Sequence, residues 1–278
     1  MCCLFLAASS TVAIAQTNVV DLVNPIIGTN GMGHTFPGAC VPFGLVQLSP
    51  DTDTIPHNVD GKYQPRSYEY CAGYQHKDSS IVGFSHTHFS GTGHSDLGDI
   101  LIMPTTGTLK LNPGTATNPD GGYRSRFSHG TEISRPGYYE VMLADYGVKA
   151  QLTTTQRVGI HKYTYPTNSE NQRIILDMIH GIYNYDGKVL WTNIRVENDT
   201  LVTGYRITNG WARTNYTYFA MSFSKPITHY GCEEKAKVNY RGGYAKFNMK
   251  ENFPDIGGRK IVAYFDFDPK TSDELEVK

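Results

Sequence analysis

Val148-Lys-Ala-Gln-Leu-Thr153 decides the fold class, because its apolar and polar side chains alternate strictly. An alternation with a period of two places Val148, Ala150 and Leu152 on one side of a strand and the polar residues on the other. One side is then buried and the other meets water, as in an antiparallel sheet that covers a core. The stretch therefore predicts β structure rather than helix.

Similar strand-like segments lie on both sides of this stretch. Asn198-Asp199 reads as the tight turn of a hairpin. Roughly a dozen strands are expected at the spacing of an all-β sandwich or barrel, and no helical periodicity exceeds about two turns. Strands do not alternate with helices, so a parallel sheet is disfavoured. The further strands are expected at residues 157–165, 173–178, 188–196, 201–207, 215–223 and 260–267.

The segment 157–165 is interpreted as a second alternating strand. Its odd and even positions fall on opposite sides, because successive side chains of a strand point to opposite faces. One side carries Val158, Ile160 and Lys162, and the other carries Arg157, His161 and Tyr163.

Charge and length exclude several classes of partner. The chain has 278 residues with 25 Lys plus Arg and 26 Asp plus Glu, and no basic stripe interrupts this balance. Nucleic-acid binding is therefore not expected. No apolar run reaches the ~18 residues of a membrane span, so none is expected.

The two ends of the chain carry processing expectations. Residues 1–15 are apolar and end in Ala13-Ile-Ala15, which predicts a signal peptide, although the basic n-region is missing and an apolar strand is the alternative. Residues 16–278 are then expected to form one domain. The last six residues, Asp273 to Lys278, read as the beginning of a strand, so a truncated C-terminus is expected.

Cys40, Cys71 and Cys232 lie beyond the predicted leader. An odd number of thiols cannot pair completely. A Cys40–Cys71 bridge and three buried free thiols both remain open.

Two stretches, residues 34–52 and 83–99, are dense in Gly, His, Ser, Thr and Asp. His86, His88, His94 and Asp96 could converge on zinc. The alternative is that these histidines hydrogen-bond to nearby backbone and hold a rigid loop. Ser90-Gly-Thr-Gly-His94 lacks the contexts of a catalytic serine elbow or a phosphate loop.

Glycoside hydrolysis requires two carboxylates that flank the scissile bond. Asp51, Asp96 and Asp99 are available, but Asp96 and Asp99 fit turn-capping positions better, and neither is assigned as acid or base.

Sugar binding favours aromatic platforms beside short polar groups. Trp211 follows a glycine and is expected at the surface, with a position at the edge of the core as the alternative, whereas Trp191 lies in a strand and is expected in the core. The other aromatic candidates are Phe36, Tyr68, Tyr70, Tyr74, Phe84 and Phe89.

Together these stretches resemble glycoside hydrolase family 92, and the likeness runs from Asp21 to Lys278. Later segments agree, including Arg126-Phe-Ser-His129, Pro136-Gly-Tyr-Tyr139 and Gly210-Trp-Ala-Arg213. The matching early motifs are Asn24-Pro25, Gly28-Thr29, His34 to Ala39, Pro42-Phe-Gly44, Gln47 to Thr52, Gly83 to His88, Ser90 to Gly93 and Gly98-Asp-Ile100.

The resemblance implies an exo-acting α-mannosidase, mostly bacterial and secreted or periplasmic, that trims mannose-containing glycans with inversion and needs calcium. It implies two domains, a large antiparallel β-sandwich of the supersandwich kind followed by a helical (α/α)6 barrel. The general acid, the general base and the calcium ligands belong mainly to that second domain, so no catalytic or metal-ligating residue is carried over to this chain.

Three hypotheses follow. The first is the N-terminal domain of an α-mannosidase, of α-1,2 type and inactive alone. The second is a stand-alone carbohydrate-binding or scaffold sandwich, and the third is a metallohydrolase that uses His86, His88, His94 and Asp96. Under the first, the substrate-binding or interdomain residues are expected to be His34, Phe36, Pro37, His86, His88, Ser90, Gly91, Thr92, Gly93, Asp96, Trp211 and Arg213.

Overall fold

The computed structural model describes residues 18–52, 55, 57–236 and 252–278, and the predicted leader lies outside them. Within these ranges the regular structure is almost entirely β, with four short 3₁₀ helices at Val19–Leu22, Pro65–Tyr70, Pro119–Gly121 and His129–Thr131. No helix in this part of the chain combines the length and the apolar character needed to cross a bilayer.

The described strands number more than the dozen expected, because several pair over only two residues and show no period. They are β1 Ala39–Cys40, β2 Gln47–Asp51, β3 Asn58–Val59, β4 Lys62–Tyr63, β5 Ser80–Ile81, β6 Gly83–Ser85, β7 Leu101–Thr105, β8 Ser125–Arg126, β9 Ile133–Arg135, β10 Tyr138–Leu143, β11 Val148–Thr154, β12 Gly159–Thr164, β13 Gln172–Asp177, β14 Val189–Asn198, β15 Leu201–Thr208, β16 Asn215–Ser222, β17 Ile227–Glu234, β18 Asp255–Gly258, β19 Ile261–Phe267 and β20 Glu274–Val277.

The largest sheet has seven strands in the order β1-β2-β6-β7-β13-β19-β17. Its recorded pairings are antiparallel. Every residue of β7 and β13 is buried, so the centre of this sheet is covered on both faces. The remaining strands form sheets of five (β20-β12-β11-β10-β9), four (β16-β15-β14-β18) and two (β3-β4 and β5-β8) strands.

The five-stranded sheet confirms the alternation in the deciding stretch. Val148, Ala150 and Leu152 are buried, whereas Lys149 and Gln151 are partly exposed. This sheet and the seven-stranded sheet contribute side chains to one apolar core, together with Ile194 and Val202 from the four-stranded sheet. Burying a large apolar side chain contributes about 1.5–3 kcal/mol, so this shared core holds the sandwich together.

The second alternating strand, β12, buries the side that carries His161 and Tyr163, while Ile160 and Lys162 remain partly exposed. The reason is its register. Tyr163 lies opposite Ala150 and His161 opposite Leu152. Directly paired residues share a face, so the buried face of β11 determines the buried face of β12.

The hairpin predicted at Asn198-Asp199 is confirmed, since Asn198 pairs with Leu201 across β14 and β15. The expectation that Trp191 lies in the core is wrong, because it is 41% exposed. A register shift between Val189 and Trp191 interrupts the alternation. Such a bulge turns the following side chain to the other face.

Among the described residues Cys40, Cys71 and Cys232 form no disulfide, so the Cys40–Cys71 bridge is not made. The companion expectation of three buried thiols is also wrong, since Cys40 is exposed and Cys232 only partly buried, whereas Cys71 is buried. The Cys71 thiol lies 3.1 Å from the Ser95 hydroxyl, which joins the loop after Tyr70 to the Gly-rich stretch.

Candidate functional site

The two polar stretches singled out in the sequence come together in the fold. The Gly91 amide donates to the His34 carbonyl at 2.6 Å. The His34 ring meets the Tyr68 ring edge-on at 4.9 Å. A Cβ at Gly93 would lie 2.1 Å from the Tyr68 hydroxyl, so a larger residue there would displace the Tyr68 ring. His34 holds a left-handed φ of 52°, a conformation that few side chains adopt. We call residues 34, 68, 89–96 and 211 the loop cluster.

Trp211 forms the exposed aromatic surface of the loop cluster, with 67% of its area open. Its ring packs against His94 at 4.1 Å and lies 6.4 Å from Phe89. The Trp211 amide donates to Asp96 at 2.9 Å. The Lys188 ammonium donates to the other oxygen of the same carboxylate at 2.8 Å. The indole is therefore held from behind while one side remains open, which confirms its expected exposure.

Asp96 stays ionised because of this pairing. Burial would raise the pKa of its carboxyl group, but the Lys188 ammonium and the amides of Trp211 and Leu97 outweigh burial and lower it. Gly210 is required beside it, since a Cβ there would lie 2.5 Å from an Asp96 oxygen.

β6 ends at Ser85, so neither His86 nor His88 lies on it. The two side chains have different hydrogen-bond partners. His86 Nδ1 donates to the Ile100 carbonyl at 2.7 Å, and His86 Nε2 lies 3.0 Å from His161 Nε2. His88 Nδ1 donates to the Gln47 carbonyl at 2.7 Å. Backbone hydrogen bonds therefore hold both rings, as the second interpretation of these histidines predicts.

Asp51 is fully buried between two histidines. Its oxygens lie 2.8 Å from His88 Nε2 and 2.8 Å from His180 Nε2. Burial would raise the pKa of this carboxyl group, but His88 and His180 together lower it well below its usual range. Both nitrogens of His88 lie within hydrogen-bond distance of oxygen atoms, Nδ1 of the Gln47 carbonyl and Nε2 of the Asp51 carboxylate.

Asp99 forms the second buried ion pair. Arg206 donates to Asp99 Oδ1 at 2.6 Å, and both side chains are almost completely buried. Thr87 donates to Asp99 Oδ2 at 2.7 Å. Burial would raise the pKa of the Asp99 carboxyl group, but Arg206 and Thr87 outweigh it and lower the pKa. Asp99 is thus an ion-pair partner rather than a turn cap.

These pairings decide what the three candidate carboxylates can do. The general acid of a glycosidase needs a raised pKa, so that it holds a proton near neutral pH. Asp51, Asp96 and Asp99 all have lowered pKa values. None of the three is therefore suited to protonate a leaving group.

The other predicted residues divide into exposed and buried sets. Phe36 is buried with its ring 5.2 Å from that of His88, and the carbonyl of buried Pro37 accepts from Ser134 at 2.5 Å. The buried His34 leaves its Nε2 atom without a hydrogen-bond partner among the described residues. The exposed or partly exposed members are Ser90, Gly91, Thr92, Gly93 and Arg213.

The zinc cluster proposed from His86, His88, His94 and Asp96 is not assembled, since each of the four side chains has a different partner. A calcium ion takes six to eight oxygen ligands. The carboxylates near the loop cluster are already engaged by Lys188, Arg206 and histidines. These residues therefore do not fit calcium.

Sequence reasoning missed the cationic partners His180, Lys188 and Arg206. Arg206 had a local signal, because it shares the buried side of β15 with Val202 and Thr208. A cation on the buried side of a strand requires a charged partner. His180 and Lys188 lie in an irregular stretch that carries no such signal.

Comparison with known proteins extends the likeness over most of the chain. A family GH92 α-mannosidase of Bacteroides thetaiotaomicron, solved with mannoimidazole, is 39% identical with a TM-score of 0.79, covering 93% of this chain and 32% of that one. A family GH92 inverting mannosidase of the same organism is 26% identical with a TM-score of 0.70, covering 95% and 31% respectively.

A curated relative, named as an uncharacterized secreted glycosidase of Arthroderma benhamiae, is 28% identical over 170 residues, which is 58% of this chain and 19% of the relative. The chain thus spans about a third of the solved enzymes and a fifth of this relative. The model of the glycosyl hydrolase family 92 N-terminal domain matches residues 22–278. The chain therefore belongs to glycosyl hydrolase family 92 and contains its N-terminal β-sandwich domain.

Proposed function

We propose that this chain is the N-terminal domain of a secreted or periplasmic exo-α-mannosidase of α-1,2 type that removes mannose from glycans by inverting hydrolysis. The loop cluster then forms part of the sugar-pocket wall and of the contact with a calcium-dependent helical catalytic domain. Support comes from the similar solved structures, which are an α-mannosidase and an inverting mannosidase, and from a relative named as a secreted glycosidase.

The observation that carries this proposal is the Trp211 platform. A pyranose ring has an apolar face that packs on an indole and hydroxyl edges that need hydrogen bonds. Trp211 offers the open indole face, while Ser90 and Thr92 follow Phe89 in the same loop cluster. In this assignment the chain binds and orients the sugar and excludes water from one side of it.

A second set of exposed side chains supports contact with another domain. Four large apolar side chains in residues 27–45 are open to solvent, and Phe43 is exposed completely. Large apolar side chains open to solvent are expected at interaction surfaces when they form one patch. The four side chains are Ile27 at 74%, Met32 at 62%, Phe43 at 105% and Leu45 at 68%.

Replacing Trp211 with alanine in the whole enzyme that carries this chain should lower kcat/KM for an α-1,2-linked mannobiose. Removing an aromatic packing surface costs about 1.5–3 kcal/mol, which is roughly a 10- to 150-fold loss. Steady-state kinetics at saturating calcium measure the effect, and the free energy of unfolding should change little, because the side chain is 67% exposed.

The matched control is Trp191→Ala. Trp191 is also partly exposed, at 41%, but it lies on β14. Its replacement should leave kcat/KM within about twofold of the parent enzyme, in line with surface substitutions generally. Equal losses in both variants would remove Trp211 from the pocket wall.

The 278-residue chain alone should not turn over an α-mannoside, with or without calcium. Its three best-placed carboxylates are ion-paired and have lowered pKa values, so none can serve as the general acid. Product detection after long incubation, with the whole enzyme as positive control, measures this. Turnover by the chain alone would contradict the proposal. A mannoside that binds the chain alone tightly would instead favour the stand-alone carbohydrate-binding module.

A further inference from the structure

Away from the candidate carboxylates, two histidines and a glutamate converge in the described part of the chain. His129 begins the 3₁₀ helix His129–Thr131, Glu132 follows it directly, and His76 lies in the loop after Tyr74. One ligand atom from each residue lies within 4.8 Å of those of the other two. We call His76, His129 and Glu132 the His–His–Glu cluster.

The imidazole rings of His76 and His129 pack against each other at a tilt. The ring centres of His76 and His129 are 3.9 Å apart, with 32° between the ring planes. His129 Nδ1 lies 2.7 Å from Glu132 Oε2. His76 Nδ1 lies 3.5 Å from the Tyr74 hydroxyl, a long contact that leaves this nitrogen weakly engaged.

The carboxylate of this cluster is held by a second layer of donors. The Glu132 side chain is only 3% exposed. Tyr74 donates to it at 2.8 Å and Tyr139 at 2.6 Å. Donors of this kind orient the ligands of metal centres in proteins.

We propose that His76, His129 and Glu132 form a binding site for a zinc-class divalent transition metal. Two imidazole nitrogens and one carboxylate oxygen suit zinc, and a fourth position would remain for water. Calcium does not suit this set, because it prefers six to eight oxygen ligands.

Binding requires the side chains of the cluster to rearrange. Ligand atoms around tetrahedral zinc lie about 3.3 Å apart, given bonds of about 2.0–2.1 Å. The present spread of up to 4.8 Å must therefore contract. The His129 side chain is 39% exposed and can rotate, whereas Glu132 is already fixed. A bound ion would tie the loop at His76 to the segment that leads into β9.

The test uses the whole polypeptide that carries this chain, stripped with a chelator and titrated with Zn²⁺ against a chromophoric competitor. The parent protein should bind one zinc ion per chain. The variants His129→Ala and His76→Ala should bind this ion at least about tenfold more weakly. Excess Ca²⁺ should not displace this ion. Zinc should also raise the Tm of the parent protein and not that of the two variants.

The matched control is His229→Ala. His229 is 38% exposed on its side chain and lies 3.5 Å from the Asp266 carboxylate, so it is a histidine–carboxylate pair without the second imidazole. This variant should bind zinc like the parent. Glu132→Gln removes the charged ligand and should also weaken binding. Equal zinc stoichiometry and affinity in the parent and all four variants would overturn the proposal, as would displacement of the ion by Ca²⁺.

Discussion

Arg206→Met should lower the free energy of unfolding by about 3–5 kcal/mol, because it leaves the buried Asp99 carboxylate without its cation. The Arg206 side chain is 0% exposed and the Asp99 side chain is 2% exposed. Arg206 also donates to the carbonyls of Met178 and Gly98, so its loss removes further partners from buried backbone. Urea unfolding of the chain at neutral pH, with the slope checked for constancy, measures the effect.

The matched control for this prediction is Arg126→Met. Arg126 pairs with Asp120 and Asp145 at 2.7 and 2.8 Å, but its side chain is 43% exposed. Solvent screens an exposed pair, so this variant should unfold almost like the parent.

The double variant Asp99→Asn, Arg206→Met separates charge from packing. It removes both charges, so it should be less destabilised than Arg206→Met alone if the cost arises from an uncompensated carboxylate. A double variant that is less stable than the single one would mean that the cost comes from lost packing and backbone contacts instead.

Acidification from pH 6.5 towards pH 4 should destabilise the chain through the His86–His161 pair. His161 Nδ1 accepts from the Tyr163 hydroxyl at 2.8 Å, and His161 Nε2 donates to His86 Nε2 at 3.0 Å. His86 Nδ1 donates to Ile100 at 2.7 Å. This chain of hydrogen bonds is complete only when both imidazoles are neutral.

Burial lowers the pKa of His86 to about 4, and burial followed by the neighbouring His86 lowers the pKa of His161 well below its usual value. The His88 charge also lowers the His86 pKa, while Asp99 and Asp51 raise it without reversing the shift. The unfolded chain takes up these protons below about pH 6.5 and the folded chain does not. Stability therefore falls with falling pH, by about 1.4 kcal/mol per pH unit for each histidine.

His161→Gln isolates this pH dependence. A glutamine can keep the hydrogen bonds to Tyr163 and His86 but cannot take up a proton, so about half of the slope between pH 6.5 and pH 4 should disappear. Urea midpoints at pH 7, 6 and 5 measure it. His229→Gln, at a partly exposed histidine, should keep the parent slope. An unchanged slope in His161→Gln would contradict the assignment. The lowered pKa values of Asp51, Asp96 and Asp99 act in a separate window, below about pH 4.

Much of the fold could be predicted because strand signals are local. The alternation in β11 and the turn at Asn198-Asp199 depend only on neighbouring residues, and both are confirmed. The core position expected for Trp191 is wrong, because a bulge depends on how β14 pairs with β15. The two-residue strands were not predicted, because two residues are too few to show an alternation of apolar and polar side chains.

The sequence singled out the polar stretches at residues 34–52 and 83–99, but not the partners of their charged side chains. The structure brings His34 of the first stretch and Gly91 of the second together. The expectation that Asp99 caps a turn is wrong, because a local pattern of turn residues does not reveal a buried Arg206 across the core.

The sequence by itself determined the β class, the single run of strands, the family and the exposed Trp211, because each depends on residues close together along the chain. Only the tertiary structure decided the charge state of the three carboxylates. Their partners lie 92 residues away for Asp96, 107 for Asp99 and 129 for Asp51 in the case of His180. Burial and ionic pairing are properties of the packed core, and these pKa values are therefore set only when distant segments of the chain meet.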